Sequence, residues 1–370
     1  MSGGRRFRWM GLTVVAGLLV ACGGGGTAAP VGGETAAPGG EERVLNLFAW
    51  SEYVPQALLD GFTAETGIQV NYDSYASNEE MLAKISAGAS GYDLIIPSDY
   101  MVNIMVAQDL LEEIDLSKIP NITNIDESLP YTYDPDHKYS VPYMWGSVAL
   151  AVNTDTVATP PASYAELWNP EFAGRLVLLD DSRQIIGMTL LTLGYDPNTK
   201  NEAELDAARV KLLDLVPNIR VFDSDTPSTV MLSGEADAGL IWNGEASIAH
   251  AEDAAIDYIY PSEGAIFWYD NLSIIKGAEH VGAALAFIDY VLRPEESVRI
   301  TAEFPYSNPN KAALEFLKDT DPDAYAAYMD FGATNPPAEA LANSYIIVDV
   351  GETTSVYDEI WTEVKTATGG

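Results

Sequence analysis

Cysteine occurs once in the 370 residues, at Cys22, so no intramolecular disulfide can form and the fold has to rest on its core. Histidine occurs three times, at His137, His250 and His280, and none stands in a recognisable nucleophile–base context. G-x-S-x-G is absent, and so are the His-x-x-x-His and Glu-x-x-His spacings of metal sites. Basic residues are scarce, 19 Lys and Arg against 55 Asp and Glu, for a formal charge of −36. That balance argues against nucleic acid and anionic membrane surfaces as partners. It suits a cationic ligand, although acidic surfaces also serve solubility or a salty habitat. Beyond the N-terminus no stretch is long and apolar enough for a membrane-spanning helix. There is no internal repeat.

What is present suffices for a large core: 47% hydrophobic and 20% charged residues in a chain long enough for two domains. The first 21 residues have the form of a secretory signal, with Arg5, Arg6 and Arg8 ahead of the apolar run Leu12 to Ala21. Arg5-Arg6 also permits a twin-arginine reading, in a poor surrounding pattern. Leu19-Val20-Ala21-Cys22 looks like a lipobox, in which Cys22 would carry the lipid. Residues 22–42, rich in Gly, Ala, Pro, Thr and Glu, read as a flexible tether. The folded body is therefore expected outside the cytoplasmic membrane, on a lipid-anchored leash.

Thereafter strand and helix signals alternate at short spacing, predicting an α/β fold with a mainly parallel sheet in the first domain. Ser77 and Glu80 form a capping box. Ser98, Asp181 and Thr226 read as helix caps. The apolar stretch Val141 to Val152 suits a strand crossing into a second domain. Ile266 to Tyr269 suits a buried strand, with Leu272 to Ile275 starting a return. On such a strand Trp268 and Asp270 share one face, an aromatic plate beside a carboxylate, as an organic cation requires. The alternative is a core Trp beside a turn-forming Asp-Asn. Trp50, Tyr100, Asp181, Ser224 and Trp242 each fall just after a predicted strand, where open α/β sheets bind ligands.

Five stretches carry a resemblance: 47–55 (LFAWSEYVP), 92–98 (YDLIIPS), 139–146 (YSVPYMWG), 239–244 (GLIWNG) and 264–270 (GAIFWYD). With similar spacing between them, the chain from about Val44 onward resembles the periplasmic spermidine/putrescine-binding proteins of ABC transporters. The resemblance implies a two-lobed, type II periplasmic-binding-protein-like fold, with lobe 1 at 43–146 plus 272–312 and lobe 2 at 147–271 plus 313–370. It implies a polyamine held between the lobes by hinge closure and delivered to the transmembrane permease, with no cofactor, no catalysis and a monomeric chain. Carried over by motif, the cleft aromatics are Trp50, Tyr53, Tyr100, Trp242, Trp268 and, on a looser match, Tyr306. The acids are Asp181 and Asp270, and Ser51, Ser98 and Ser224 add polar contacts.

The pattern also departs from the family. Where it usually reads Asp-x-x-Glu, this chain has Asp181-Ser182-Arg183-Gln184, so a neutral acceptor, Gln184, replaces one acid. Asp99 either restores that charge or only caps a helix. Ile347 stands where some spermidine binders place a polar side chain. These changes leave open which polyamine is preferred. Two other readings stand beside this one: a binder of another small amine or amino-acid derivative, and an extracellular glycosidase using two carboxylates across an aromatic cleft.

Overall fold

The computed structural model describes residues 43–369, apart from 52 and 89–90. The signal sequence, the tether and Cys22 lie outside the described residues. No helix among the described residues is long and apolar enough to cross a membrane.

Ten strands make one mixed sheet: β1 (Val44–Trp50), β2 (Gln69–Tyr75), β3 (Leu94–Ile95), β4 (Val141–Asn153), β5 (Leu176–Leu178), β6 (Ile219–Phe222), β7 (Ala238–Trp242), β8 (Ile256–Ile259), β9 (Ala265–Ile274) and β10 (Ser344–Ile346). The order is β2-β1-β3-β9-β4-β7-β5-β6, with β10 on β9 and β8 on β4. At one end β1 pairs in parallel with β2 and β3; at the other β5 pairs in parallel with β6 and β7. Helices join these parallel strands, as parallel connections require. Between the two ends run β4 and β9, antiparallel to each other.

These two strands tie the halves together. The first part of β4 pairs with β9, and its last residues pair with β7 and β8. In return β9 begins beside β10 and β4 and ends on β3, where Leu94 faces Ile274. All ten residues of β9 and twelve of the thirteen in β4 are buried, which explains their nearly continuous apolar sequence. Period-2 alternation deals the β9 side chains to different cores. Ile266 and Trp268 join a core of the second half, with Leu178, Ile185 and Leu240, whereas Phe267 and Tyr269 join a larger one that runs through both halves, with Tyr53, Val141 and Ile241. The first half keeps the expected mainly parallel pairing, while the sheet is antiparallel wherever β4 or β9 meets its neighbours, except at β10. One expectation changes here: Leu272 to Ile275 is no return, because β9 runs straight through Asp270-Asn271, and both side chains are buried and hydrogen-bonded.

The approach to β4 is pinned by one carboxylate. Buried Asp134 accepts the backbone N–H groups of Lys138, Tyr139 and Ser140 at 3.0, 2.8 and 2.8 Å and the Ser140 hydroxyl at 2.8 Å. Removing it leaves several donors unpaired where water is scarce. Asp134→Ala should therefore lower unfolding stability by about 3 kcal/mol in urea titrations; a loss under about 0.5 kcal/mol, the surface norm, would refute this role.

Candidate ligand-binding site

The site forms where β9 passes between the halves. Asp270 pairs with Met144 of β4 on one side and forms an antiparallel bridge to Ser98 on the other. A carboxylate buried in mid-strand has to be hydrogen-bonded. The Tyr53 hydroxyl donates to its Oδ2 at 2.6 Å and the Ser98 hydroxyl to its Oδ1 at 2.6 Å. Asn78 holds Ser98 in turn, donating from Nδ2 to Ser98 Oγ at 3.0 Å and accepting the Ser98 N–H at 3.2 Å. Ser98 does precede the helix Asp99–Ala107, but its side chain makes no capping bond; the hydroxyl is spent on Asp270. Thr226 likewise makes no side-chain cap, whereas Asp181 and Ser77 do.

Aromatic rings extend the site from Asp270. Tyr53 lies 5.9 Å from Tyr306, Tyr306 lies 5.3 Å from Trp268 nearly edge-on, and Trp268 lies 6.1 Å from Trp242 at 89°. Two glycines permit this. A Cβ on Gly146, the register partner of Trp268, would stand 2.5 Å from the Trp268 ring and 2.0 Å from Asn243 Oδ1. A Cβ on Gly244 would stand 2.5 Å from the Tyr306 ring. Trp242 ends β7 and donates its indole N–H to the Ser224 carbonyl at 3.0 Å, which brings Ser224 to the group. Trp50 ends β1, packs 5.0 Å from Tyr75, and donates to the Ile96 carbonyl at 2.9 Å, close before Ser98.

Asp181 caps the helix Ser182–Leu191, accepting the Gln184 N–H at 3.0 Å. Tyr100 packs against the cores of both halves, and its charge environment includes Asp181. Buried Gln184 and Trp268 leave Oε1 and Nε1 without a hydrogen-bond partner among the described residues, as does Ser224 its Oγ. Three expected contact residues thus carry unspent polar atoms. Ser51 sits exposed in the turn after β1 and makes no hydrogen bond to the others among the described residues.

Asp99 is buried in the first turn of the helix Asp99–Ala107, where its charge bears on Tyr133 and Tyr269. Burial pushes its carboxyl well up, with the Asp270 charge adding to the effect. Ile347 is buried against the same helix as Gln184, 3.9 Å from where a Cβ on Gly187 would stand.

Sequence reasoning missed Asn78, Glu79 and Glu245. Glu79 accepts the Tyr100 hydroxyl at 2.9 Å, and Glu245 bears on Tyr306. Both read as ordinary first-turn acids of helices, and the partners that distinguish them are remote in sequence.

Electrostatically the site is tuned for positive charge. Burial pushes Asp270 up to about 6, against the pull of the Ser98 and Tyr53 hydroxyls. Burial, with the Asp270 charge next, holds the Tyr53 hydroxyl well above its usual range, so it stays a donor. A cation that offsets the burial of the Asp270 carboxylate should be bound firmly; an anion should be rejected.

A family model described as bacterial extracellular solute-binding protein matches residues 57–333. The spermidine/putrescine-binding periplasmic protein of Escherichia coli K12 is 39% identical over 328 residues, covering 88% of this chain and 92% of its own. Among solved structures, the spermidine/putrescine ABC transporter substrate-binding protein PotD of Streptococcus pneumoniae superposes with a TM-score of 0.76 at 33% identity, over 88% of this chain and all of that one. The TpPotD lipoprotein of Treponema pallidum gives 0.76 at 35%, over 87% and 99%. The chain has their two-lobed α/β architecture.

One consequence of the buried acid is testable without any ligand. The folded state holds the Asp270 proton more tightly than the unfolded chain does, its value rising from 3.8 to about 6. Its contribution to stability is therefore full below about pH 4 and is lost as pH rises through about 6. The stability of the native chain relative to Asp270→Asn should fall by about 2 kcal/mol between pH 4 and pH 7 in urea titrations. A pH-independent difference would show that Asp270 is not desolvated as described.

Proposed function

Because this chain belongs to the bacterial extracellular solute-binding proteins, we propose that it captures a polyamine, putrescine or spermidine, between its lobes for an ABC importer. The observation that carries this reading is the buried Asp270 carboxylate, hydrogen-bonded by Tyr53 and Ser98 at the foot of an aromatic wall. A polyamine is a chain of ammonium groups at neutral pH, by analogy with lysine near ~10.4. Each ammonium loses water on entry and needs a replacement. Asp270 supplies one at full charge. Ring faces line the methylenes and add about 0.5–2 kcal/mol for a well-placed cation. Trp50, Tyr100, Asp181, Gln184, Ser224 and Trp242 complete the contact set, and Ser51 joins it on closure.

The protein is a transport binding protein, and we read it as a carrier without turnover. We take β4 and β9 as the hinge, with lobe 1 at 43–146 plus 272–312 and lobe 2 at 147–271 plus 313–370. The 312 boundary falls after the second residue of the helix Lys311–Thr320, so we move the change of lobe to the end of that helix nearest it. Closure about the hinge would present the loaded form to the permease. The location is extracytoplasmic, as for its periplasmic relatives. We further propose that Cys22 is lipidated and anchors a monomeric body; the description of one structural relative as a lipoprotein supports this.

Putrescine or spermidine should raise the melting temperature by several degrees. Asp270→Asn should weaken calorimetric affinity by about a hundredfold or more, as expected for a buried charged hydrogen bond. Affinity retained within a few-fold would overturn the site. Cys22→Ser should release the protein from the membrane fraction; unchanged partitioning would rule out the anchor.

A further inference from the structure

The site has two unequal ends. At one, Asp270 is buried and bonded. At the other, Asp181 stands beside Gln184, whose buried carboxamide oxygen has no partner among the described residues. Glu79 comes to this second end from the first half of the molecule. It lies in the first turn of the helix Asn78–Ser86, next in sequence to Asn78, which holds Ser98 against Asp270. Its Oε1 accepts the Tyr100 hydroxyl at 2.9 Å, and Tyr100 packs on both halves. The Glu79 charge bears on both Tyr100 and Asp181. Among the described residues Glu79 makes no ion pair. Two acids from opposite halves are thus linked through Tyr100, whose hydroxyl is bonded to Glu79 and whose charge environment includes Asp181. Like charges so arranged repel until a cation lies between them.

We propose that Glu79 is a further ligand-binding residue, which joins Asp181 across the cleft to hold the second ammonium of a diamine whose first ammonium sits on Asp270. This rests on the polyamine reading above and goes beyond it. It supplies from the first half the charge that Gln184 lacks in the second. It also makes closure depend on a ligand with two charges, because a monoamine on Asp270 leaves Glu79 and Asp181 opposed.

The test is calorimetry on the full chain with putrescine and 1-aminobutane, at low and high salt, for the native protein, Glu79→Gln and Asp270→Asn. Glu79 is exposed, so its variant should fold, with a melting temperature within about 2 °C of native. Glu79→Gln should weaken putrescine about tenfold at low salt and 1-aminobutane less than twofold, and the putrescine effect should shrink as salt screens an exposed charge. A putrescine loss below twofold, or equal losses for both amines, overturns the proposal. If Asp270→Asn still abolishes putrescine binding in those cases, the polyamine reading stands without Glu79. If Asp270→Asn also leaves putrescine unchanged, it is the polyamine reading that fails.

Discussion

Everything at this site follows from an acid placed where an acid is expensive. Asp270 lies in the middle of a strand with no exposed residue, and two hydroxyls are committed to it. That arrangement dictates the sequence around it. Ser98 gives up its role as a helix cap, Asn78 is buried to hold Ser98, and Tyr53 is buried to reach across from the segment after β1. Each group is satisfied by the next, as a low-dielectric polar network must be. The network satisfies the carboxylate without neutralising it: hydroxyl donors leave the negative charge standing. In the proposed complex a cationic ligand supplies what the protein withholds.

The aromatic wall plays a complementary part. Tyr306, Trp268 and Trp242 meet near edge-on, and small residues at Gly146 and Gly244 let them approach strands and helix closely. Rings packed on one another are fixed, so the methylene chain of the proposed ligand would meet a preformed surface and lose little side-chain entropy on binding. Acids without such rings would bind hydrated metal ions as readily as amines. Rings without acids would leave ammonium groups unpaired.

Much of this was legible in the sequence, for identifiable reasons. β4 and the start of β9 are continuous apolar runs, and buried strands read that way. Trp50 and Trp242 fall at strand ends and Asp181 at a helix start because strand and helix signals there are strong and local. The failures share one physical cause. Asp270-Asn271 suggests a turn because Asp and Asn favour turns locally. Their side chains instead bond to Tyr53 and Tyr133, 217 and 138 residues away. Ser98 looks like a cap for the same reason, and Glu79 like a helix-end acid. Local propensity describes what a residue does alone, and these residues are recruited by partners that only the completed sheet brings near.

The alternation along β9 has a further reach. Up to Asp270 its residues feed two different cores in turn, Ala265, Phe267 and Tyr269 one and Ile266 and Trp268 the other, while Asp270 must meet both Tyr53 and Ser98. The strand behaves like a reading frame. Substitutions can be absorbed one at a time, but a single inserted or deleted residue would exchange both cores and turn the carboxylate to the wrong side at once. Length variation between such chains therefore belongs in the surface loops, and β9 should be invariant in length wherever this site is kept.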